Sequence, residues 1–253
     1  MSRLLVRPPS PLLAEGELTH LERVPVDPAL AQEQWQTYVD VFRDRGWDLV
    51  EVDPADDYPD GVFIEDMVVV FDDLAVLTSP GAASRRGEID STARAVATTG
   101  LEVVRLEPPA HLDGGDVLKI GRTAYVGLGS RTDAAGIDAL RALIGPRGWT
   151  VVAVPVSKVL HLKSGVTALP DGTVIGFAPL VDDPGVFSEF LAVPEPEGVA
   201  VVVLDRDSVL MSASAPRTAD LLRERGLEVI TTPMTEFEKL EGCVTCLSVR
   251  LRS

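Results

Sequence analysis

One pattern recurs along the chain and limits the folds open to it: a helix-like segment, a glycine, then a short apolar strand. It appears at Arg45-Gly46-Trp47-Asp48-Leu49-Val50, Thr99-Gly100-Leu101-Glu102-Val103-Val104, Arg147-Gly148-Trp149-Thr150-Val151-Val152 and Arg225-Gly226-Leu227-Glu228-Val229-Ile230. Each glycine suits a helix C-cap, where a left-handed backbone is needed and a side chain is a hindrance. A polar loop and then a hairpin-like pair follow, as in 117–120 with 124–127, or 166–169 with 173–177 across Pro170-Asp171-Gly172.

A fainter fifth unit runs from Glu197-Gly198-Val199 to Met211, with a short leading helix expected at about 185–191. Five units in 253 residues give about fifty residues each, the period of a propeller-like ring. The last unit, Glu228 to Arg252, has room for one strand after its loop, and the strand expected at residues 4–7 could pair with it and hold the two ends together. The expectation is a single α/β catalytic domain over 1–253, a five-bladed ββαβ ring with pseudo-fivefold symmetry. A plain α/β sandwich shares the helix-strand alternation. The offsets of polar residues favour the ring: Asp113 and His161 each lie 13 residues beyond their glycine, and Asp66 and Cys246 each lie 20 beyond theirs. Units related by rotation would bring all four to one axial cavity.

Composition narrows the function. A formal charge of -16 argues against nucleic acid, which needs a basic footprint, and is compatible with a cationic small molecule. Arg7 and the prolines after it break the first apolar run before a signal-like core can form, and no apolar run reaches membrane length. Two cysteines three apart cannot staple a chain of this size, so a reducing cytoplasm is the default location.

Cys246 carries the best side-chain nucleophile near neutral pH. It could equally be a buried core cysteine, or half of a Cys-x-x-Cys with Cys243. The second reading is disfavoured by the strand-like run Glu241 to Leu251, because residues three apart on a strand point to opposite faces. No further cysteine pair exists to complete a zinc site, and no helix N-terminus supports a redox pair. His161, one of three histidines, lies among apolar residues, where a structural role is the plain alternative. Asp113, in Leu-Asp-Gly-Gly-Asp-Val, could simply close a turn. Asp60, Glu65 and Asp66 are three acids within seven residues, and the last two interrupt an apolar run, where ionised groups need a counter-charge. Arg85 and Arg131 offer planar forks that match a carboxylate, with ordinary surface solvation as the alternative. Acids at one end and arginines at the other would suit a free amino acid with a cationic side chain.

Taken together, Pro-Asp-Gly-Val-Phe-Ile-Glu-Asp at 59–66, Pro-Gly-Ala-Ala-Ser-Arg-Arg-Gly-Glu at 80–88, Leu-Asp-Gly-Gly-Asp-Val at 112–117, Arg-Thr-Asp at 131–133, Leu-His-Leu-Lys-Ser at 160–164 and the Gly-Cys-Val-Thr-Cys-Leu-Ser-Val tail resemble the dimethylarginine dimethylaminohydrolases. That family is a branch of the guanidino-group-modifying superfamily, and the resemblance covers nearly the whole chain in order and spacing. It implies a five-bladed ββαβ ring around a central site. It implies Cys246 as nucleophile, His161 as general acid and base, and Asp113 as the acid beside the histidine. Asp66, with Asp60 and Glu65, would receive the guanidinium; Arg85 and Arg131 would clamp the carboxylate; the backbones near Leu18 and Leu240 would hold the α-amino group. The implied reaction converts Nω-methylated arginine to citrulline and an amine through a thiouronium on Cys246, with no cofactor or metal. The sequence departs from some relatives in carrying Asp113 rather than Glu, and Leu247 rather than a second cysteine after the nucleophile. Arginine or citrulline as substrate, and a non-catalytic amino-acid-binding protein, are the competing readings. Pairing into a homodimer is left open, and residues 12–21, with Gly16 and Leu18, are the expected lid.

Overall fold

The computed structural model describes residues 2–251; Arg252, the end of the last sequence unit, lies outside them. From β1 (Arg3–Val6) the chain passes through the long helix α1 (Pro28–Asp44) into β2 (Asp48–Glu51), parallel to β1. Asp27 starts the helix by accepting hydrogen bonds from the N–H groups of Ala29 and Leu30, with Pro28 at the first position, where its missing N–H is harmless. Next come an antiparallel hairpin of β3 (Val68–Phe71) and β4 (Leu74–Leu77), the crossover helix α2 (Ile89–Ala97), and β5 (Glu102–Arg105) parallel to β4.

Hairpin, helix and parallel strand then repeat in β6 (Val117–Ile120), β7 (Thr123–Leu128), α3 (Ala134–Ile144) and β8 (Thr150–Pro155). A one-turn helix α4 (Leu162–Gly165) introduces β9 (Val166–Ala168), β10 (Val174–Gly176) and β11 (Phe190–Ala192). The full repeat returns in β12 (Val201–Val203), β13 (Ser208–Ser212), α5 (Pro216–Glu224) and β14 (Glu228–Thr232). A last one-turn helix α6 (Thr235–Glu238) leads to β15 (Ser248–Leu251), which pairs antiparallel with β1, Arg3 opposite Leu251. The described residues thus form a mixed α/β fold of five three-stranded sheets.

The expected hairpins form, and the strands near the two ends of the chain pair as the pattern predicts. The four repeat glycines Gly46, Gly100, Gly148 and Gly226 all have positive φ, 74° to 90°. The leading helix expected at 185–191 does not form. Pro184–Val186 is a single tight turn and Phe190–Ala192 is already the third strand of its sheet. Asp183 closes that turn by accepting from the Gly185 N–H, and Phe190 to Ala192 are taken up instead by parallel pairing with Val174 to Gly176. Accordingly Gly198 has no left-handed role; it lies in a tight turn before β12 with Thr218 against it.

The largest apolar cluster joins α1, through Trp35, Tyr38, Val39 and Phe42, to β12 and β13 and to the segment carrying Leu240, Val244, Cys246 and Leu247. Tyr38 fixes that segment directly: its buried hydroxyl donates to the Val244 carbonyl at 2.9 Å and lies 2.6 Å from the Ser248 hydroxyl. No helix among the described residues is long and apolar enough to cross a membrane.

At Gly148 (φ 81°) an added Cβ meets nothing within 4 Å, so substitution tests the backbone conformation alone. Gly148→Ala should lower stability by about 1 kcal/mol, read in thermal melts as a Tm lower by about 2–4 °C.

Candidate active site

Asp66, Asp113, His161 and Cys246 come from four different sheets, each just ahead of a strand. Asp66 lies in the tight turn Ile64–Met67 before β3, and Asp113 leads into the turn Gly114–Asp116 before β6. His161 is the N-cap residue of α4, and Cys246 lies in the turn before β15. Asp66, His161 and Cys246 line one narrow cleft together with Asp60, Arg85, Arg131, Leu240, Glu17, Phe63, Leu160, Glu241 and Gly242. The space left between them is about 20 Å³, room for roughly one water.

The histidine sits between two carboxylates. Its Nε2 donates to Asp113 Oδ2 at 3.1 Å and its Nδ1 lies 3.8 Å from Asp66 Oδ1. Burial disfavours charge on this ring, but Asp66, the Asp113 hydrogen bond and Asp116 outweigh it and raise its pKa to about 9. His161 is therefore an imidazolium at neutral pH. Asp113 is held by N–H donation from Gly81 to its Oδ1 at 2.9 Å.

Asp66 is buried, which alone would raise its pKa; His161, Arg85 and the Gly115 N–H more than offset that and hold it below its ordinary value. Its Oδ2 accepts from Arg85 at 2.5 Å and its Oδ1 from Gly115 N–H at 2.9 Å. A Cβ on Gly115 would lie 2.6 Å from Asp66 Oδ1 and 2.7 Å from His161 Nδ1, so the Gly-Gly turn is what lets backbone pass between the two side chains. The ligand atoms of Asp66, Asp113 and His161 lie within 4.8 Å of one another, a grouping that could suggest a metal. The carboxylates face different ring nitrogens, however, and the imidazolium already supplies the cation they need, so the trio fits a charged histidine better than an ion.

Cys246 and Cys243 correct the sequence expectation. The segment before Ser248 is a turn rather than a strand, closed by Cys246 N–H on the Cys243 carbonyl at 3.0 Å, and the two sulfurs lie 3.4 Å apart. Strand alternation does not apply in a turn. The hydrogen bond with Cys243, burial, and the negative charges of Glu65 and Asp66 hold the Cys246 thiol well above its ordinary pKa. Cys243 is lowered in turn by the hydrogen bond it shares with Cys246.

The remaining expected residues divide. Asp60 lines the cleft and accepts from the Glu17 N–H at 3.1 Å; burial raises its pKa against the pull of Arg85. Arg85 is buried and heavily engaged, with Nε and Nη2 on Glu88, Nη2 also on the Asp60 and Phe63 carbonyls, and Nη1 on Asp66. Of its five donors, one hydrogen on Nη1 is left. Arg131 pairs with Glu17 at 2.9 Å. Leu240 borders the cleft, while Leu18 packs on the largest apolar cluster beside Glu17. Glu65 is not brought into the cleft: its carboxylate accepts from Lys163 at 2.6 Å and faces cavities shared with Lys119 and Arg250.

Several contributors escaped the sequence reading. Asp116 accepts from the Thr132 hydroxyl at 2.6 Å and from Leu162 N–H at 2.9 Å, tying the Arg131 loop to the His161 turn; burial raises its pKa to about 6. Its signal was present in the paired acids of Asp113-Gly-Gly-Asp116. Glu88 stands three residues after Arg85, an ordinary local spacing for an ion pair. Glu241, at φ 60°, accepts from the N–H groups of Thr19, His20 and Leu21 at 3.0, 2.5 and 2.9 Å, pinning the expected lid. Nothing in the sequence links positions more than two hundred residues apart in this way.

No protein-family model matches the chain. It is 60% identical over 250 residues to an N(G),N(G)-dimethylarginine dimethylaminohydrolase of Streptomyces coelicolor, covering 99% of this chain and 97% of that one. It is 32% identical over 253 residues to the protein of the same description in Pseudomonas aeruginosa, covering 98% of each. A solved structure of the P. aeruginosa enzyme, a cysteine-to-serine variant complexed with citrulline, superposes with TM-score 0.89 at 31% identity over 98% of each chain. A histidine-to-glycine dimethylarginine dimethylaminohydrolase bearing an S-methyl-L-thiocitrulline adduct gives TM-score 0.90 at 30% identity, over 98% of this chain and 99% of that one. The chain belongs to the dimethylarginine dimethylaminohydrolase family.

Two outcomes follow from this geometry. The stabilisation that charged His161 draws from its carboxylates is fully present below its unfolded pKa of about 6.5 and is lost as pH rises through about 9. Denaturant titrations from pH 6 to 10 should show that decline in the wild type and a flatter profile in His161→Asn. Glu241→Gln weakens the three hydrogen bonds from Thr19, His20 and Leu21, and hydrogen exchange at those residues should accelerate while β15 stays protected.

Proposed function

We propose that this protein hydrolyses Nω-methylated arginines, asymmetric dimethylarginine and monomethylarginine, to citrulline and dimethylamine or methylamine. The observation that carries this reading is the placing of a thiol, an imidazolium flanked by two carboxylates, and an arginine with an exchangeable partner around one cleft. Membership of the family points to the same substrate class.

The five three-stranded sheets read best as blades of a propeller-like ring with pseudo-fivefold symmetry, one catalytic domain over 1–253. Strands that open their hairpins pack against neighbours, β6 beside β9, and β15 packs beside β3, which supports that arrangement. A compartment that keeps thiols reduced, such as the cytoplasm, suits an enzyme whose nucleophile is a thiol.

A methylarginine would enter when the lid lifts, its carboxylate replacing Glu17 on Arg131 and taking the remaining N–H of Arg85. The backbones near Leu18 and Leu240 would receive the α-amino group. Asp66 and Asp60 then neutralise the guanidinium, whose delocalised charge otherwise makes its carbon a poor electrophile. Glu65 contributes through its field from the far side. The substrate cation, brought beside a thiol that the unliganded site keeps protonated, lowers the Cys246 pKa, and the thiol gives its proton to water and becomes the thiolate.

Cys246 Sγ attacks the guanidinium carbon. His161, charged below about pH 9 and oriented by Asp113, protonates the departing methylamine or dimethylamine from its Nδ1 side. The neutral imidazole then takes a proton from water as its oxygen attacks the thiouronium carbon, which recharges His161; collapse breaks the C–S bond, the new hydroxyl's proton passes to the departing Cys246 sulfur, and citrulline is released. Arginine lacks the methyl groups but shares the cation; citrulline offers no charge for Asp60 and Asp66.

Incubation with dimethylarginine, monomethylarginine, arginine, agmatine and citrulline, with products quantified by mass spectrometry, should give dimethylamine and citrulline from the first. Another product in its place overturns the substrate assignment. Cys246→Ser should abolish turnover, and His161→Ala should lower kcat by about 10²–10⁴-fold.

A further inference from the structure

The two thiols open onto different spaces. Cys246 lines the narrow cleft with His161 and Asp66, whereas Cys243 lines a neighbouring cleft of roughly 470 Å³. Leu160, Glu241 and Gly242 border both and form the partition. Cys243 is partly exposed and Cys246 is buried. Across the partition the sulfurs are 3.4 Å apart, and Cys243 N–H also points at Cys246 Sγ at 3.4 Å. A disulfide needs about 2.05 Å between sulfurs, an approach of roughly 1.4 Å, which side-chain rotation within one turn can supply.

We propose that Cys243 is an oxidation site for small hydroperoxides that enter by this second cleft, and that it then captures Cys246 in a disulfide and silences the nucleophile. The inference rests on the assignment of Cys246 as nucleophile. Its structural half, the disulfide, is read by mass and does not depend on that assignment.

The chemistry balances. Cys243 thiolate attacks a hydroperoxide oxygen, the O–O bond breaks, and the departing alkoxide takes a proton to become an alcohol, or water when the oxidant is hydrogen peroxide. Cys243 is now a sulfenic acid. The Cys246 thiol, no longer facing a Cys243 thiolate, attacks the Cys243 sulfur; the S–S bond forms, the S–O bond breaks, and the Cys246 proton leaves with the displaced hydroxide as water. Two thiols lose two electrons and two protons, and the hydroperoxide accepts them. A dithiol reductant returns both thiols by exchange.

Several features put the first step on Cys243. Its thiol is the lowered member of the pair and faces the more open space, while Cys246 is raised and closed in. Disulfide closure then competes with further oxidation to sulfinic acid, which dithiols do not reverse.

The test treats the full-length protein with hydrogen peroxide and follows intact mass and dimethylarginine turnover together. The wild type should lose the mass of two hydrogens and both titratable thiols as activity falls, and dithiothreitol should restore all three. Cys246→Ser should instead accumulate a dimedone-trappable sulfenic acid on Cys243, and Cys243→Ser should inactivate more slowly and without recovery by dithiothreitol. Wild type that gains oxygen without losing two hydrogens, or Cys243→Ser that inactivates as fast as wild type, overturns the proposal. A disulfide that forms in full while turnover persists sinks the nucleophile assignment and leaves the oxidation site standing.

Discussion

A buried chain of alternating charge holds the site in place. It runs from Arg7 to Glu88, Arg85, Asp66, His161 and Asp113, each within ion-pair or hydrogen-bond reach of the next. These residues come from segments attached to different sheets and meet only because the sheets are packed. Taking so many charges out of water is expensive, and removing one member would strand its neighbours. The expense is visible at the Arg7 end: burial lowers the Arg7 pKa to about 10 and raises that of Glu88. In the middle, the neighbouring charges dominate, so Asp66 stays ionised and His161 stays protonated.

This chain of charge gives the two ends of the reaction different electrostatic settings. At one end Arg131 holds Glu17, a half-exposed carboxylate. At the other, Cys246 is held protonated by its hydrogen bond with Cys243, by burial and by the negative groups around it. The protein therefore avoids presenting a permanently ionised thiol. Under the proposed mechanism its reactivity is conditional on the charge of what enters.

How far the sequence foretold this depends on the range of each determinant. Local signals were legible: the four left-handed glycines, the hairpins, and the equal offsets that place Asp66, Asp113, His161 and Cys246 ahead of strands. Periodicity failed where strand pairing of Phe190 to Ala192 with Val174 to Gly176, a non-local contact, took the place of a helix. The facing of Cys243 toward Cys246 was hidden because a strand was assumed where the backbone makes a turn. Glu65 looked equivalent to Asp66 in sequence, yet adjacent residues in the Ile64–Met67 turn diverge, and Lys163 draws one of them to the other side. Glu17 and Glu241 act through contacts that no local pattern encodes.

The pairing of β1 with β15 has a kinetic consequence. Arg3 lies opposite Leu251, so this sheet closes a loop spanning nearly the whole described chain. Loop-closure entropy makes such a contact among the slowest to form, whereas each hairpin needs only a short local search. The turn bearing Cys246 is continuous with β15 and is packed by Tyr38 of α1, so the thiol reaches its final position only when that longest loop shuts. Assembly of the cleft and completion of folding are then one event: a chain with its other sheets formed but this one open would resemble the native protein in most of its secondary structure and lack the cleft that sets Cys246 beside His161.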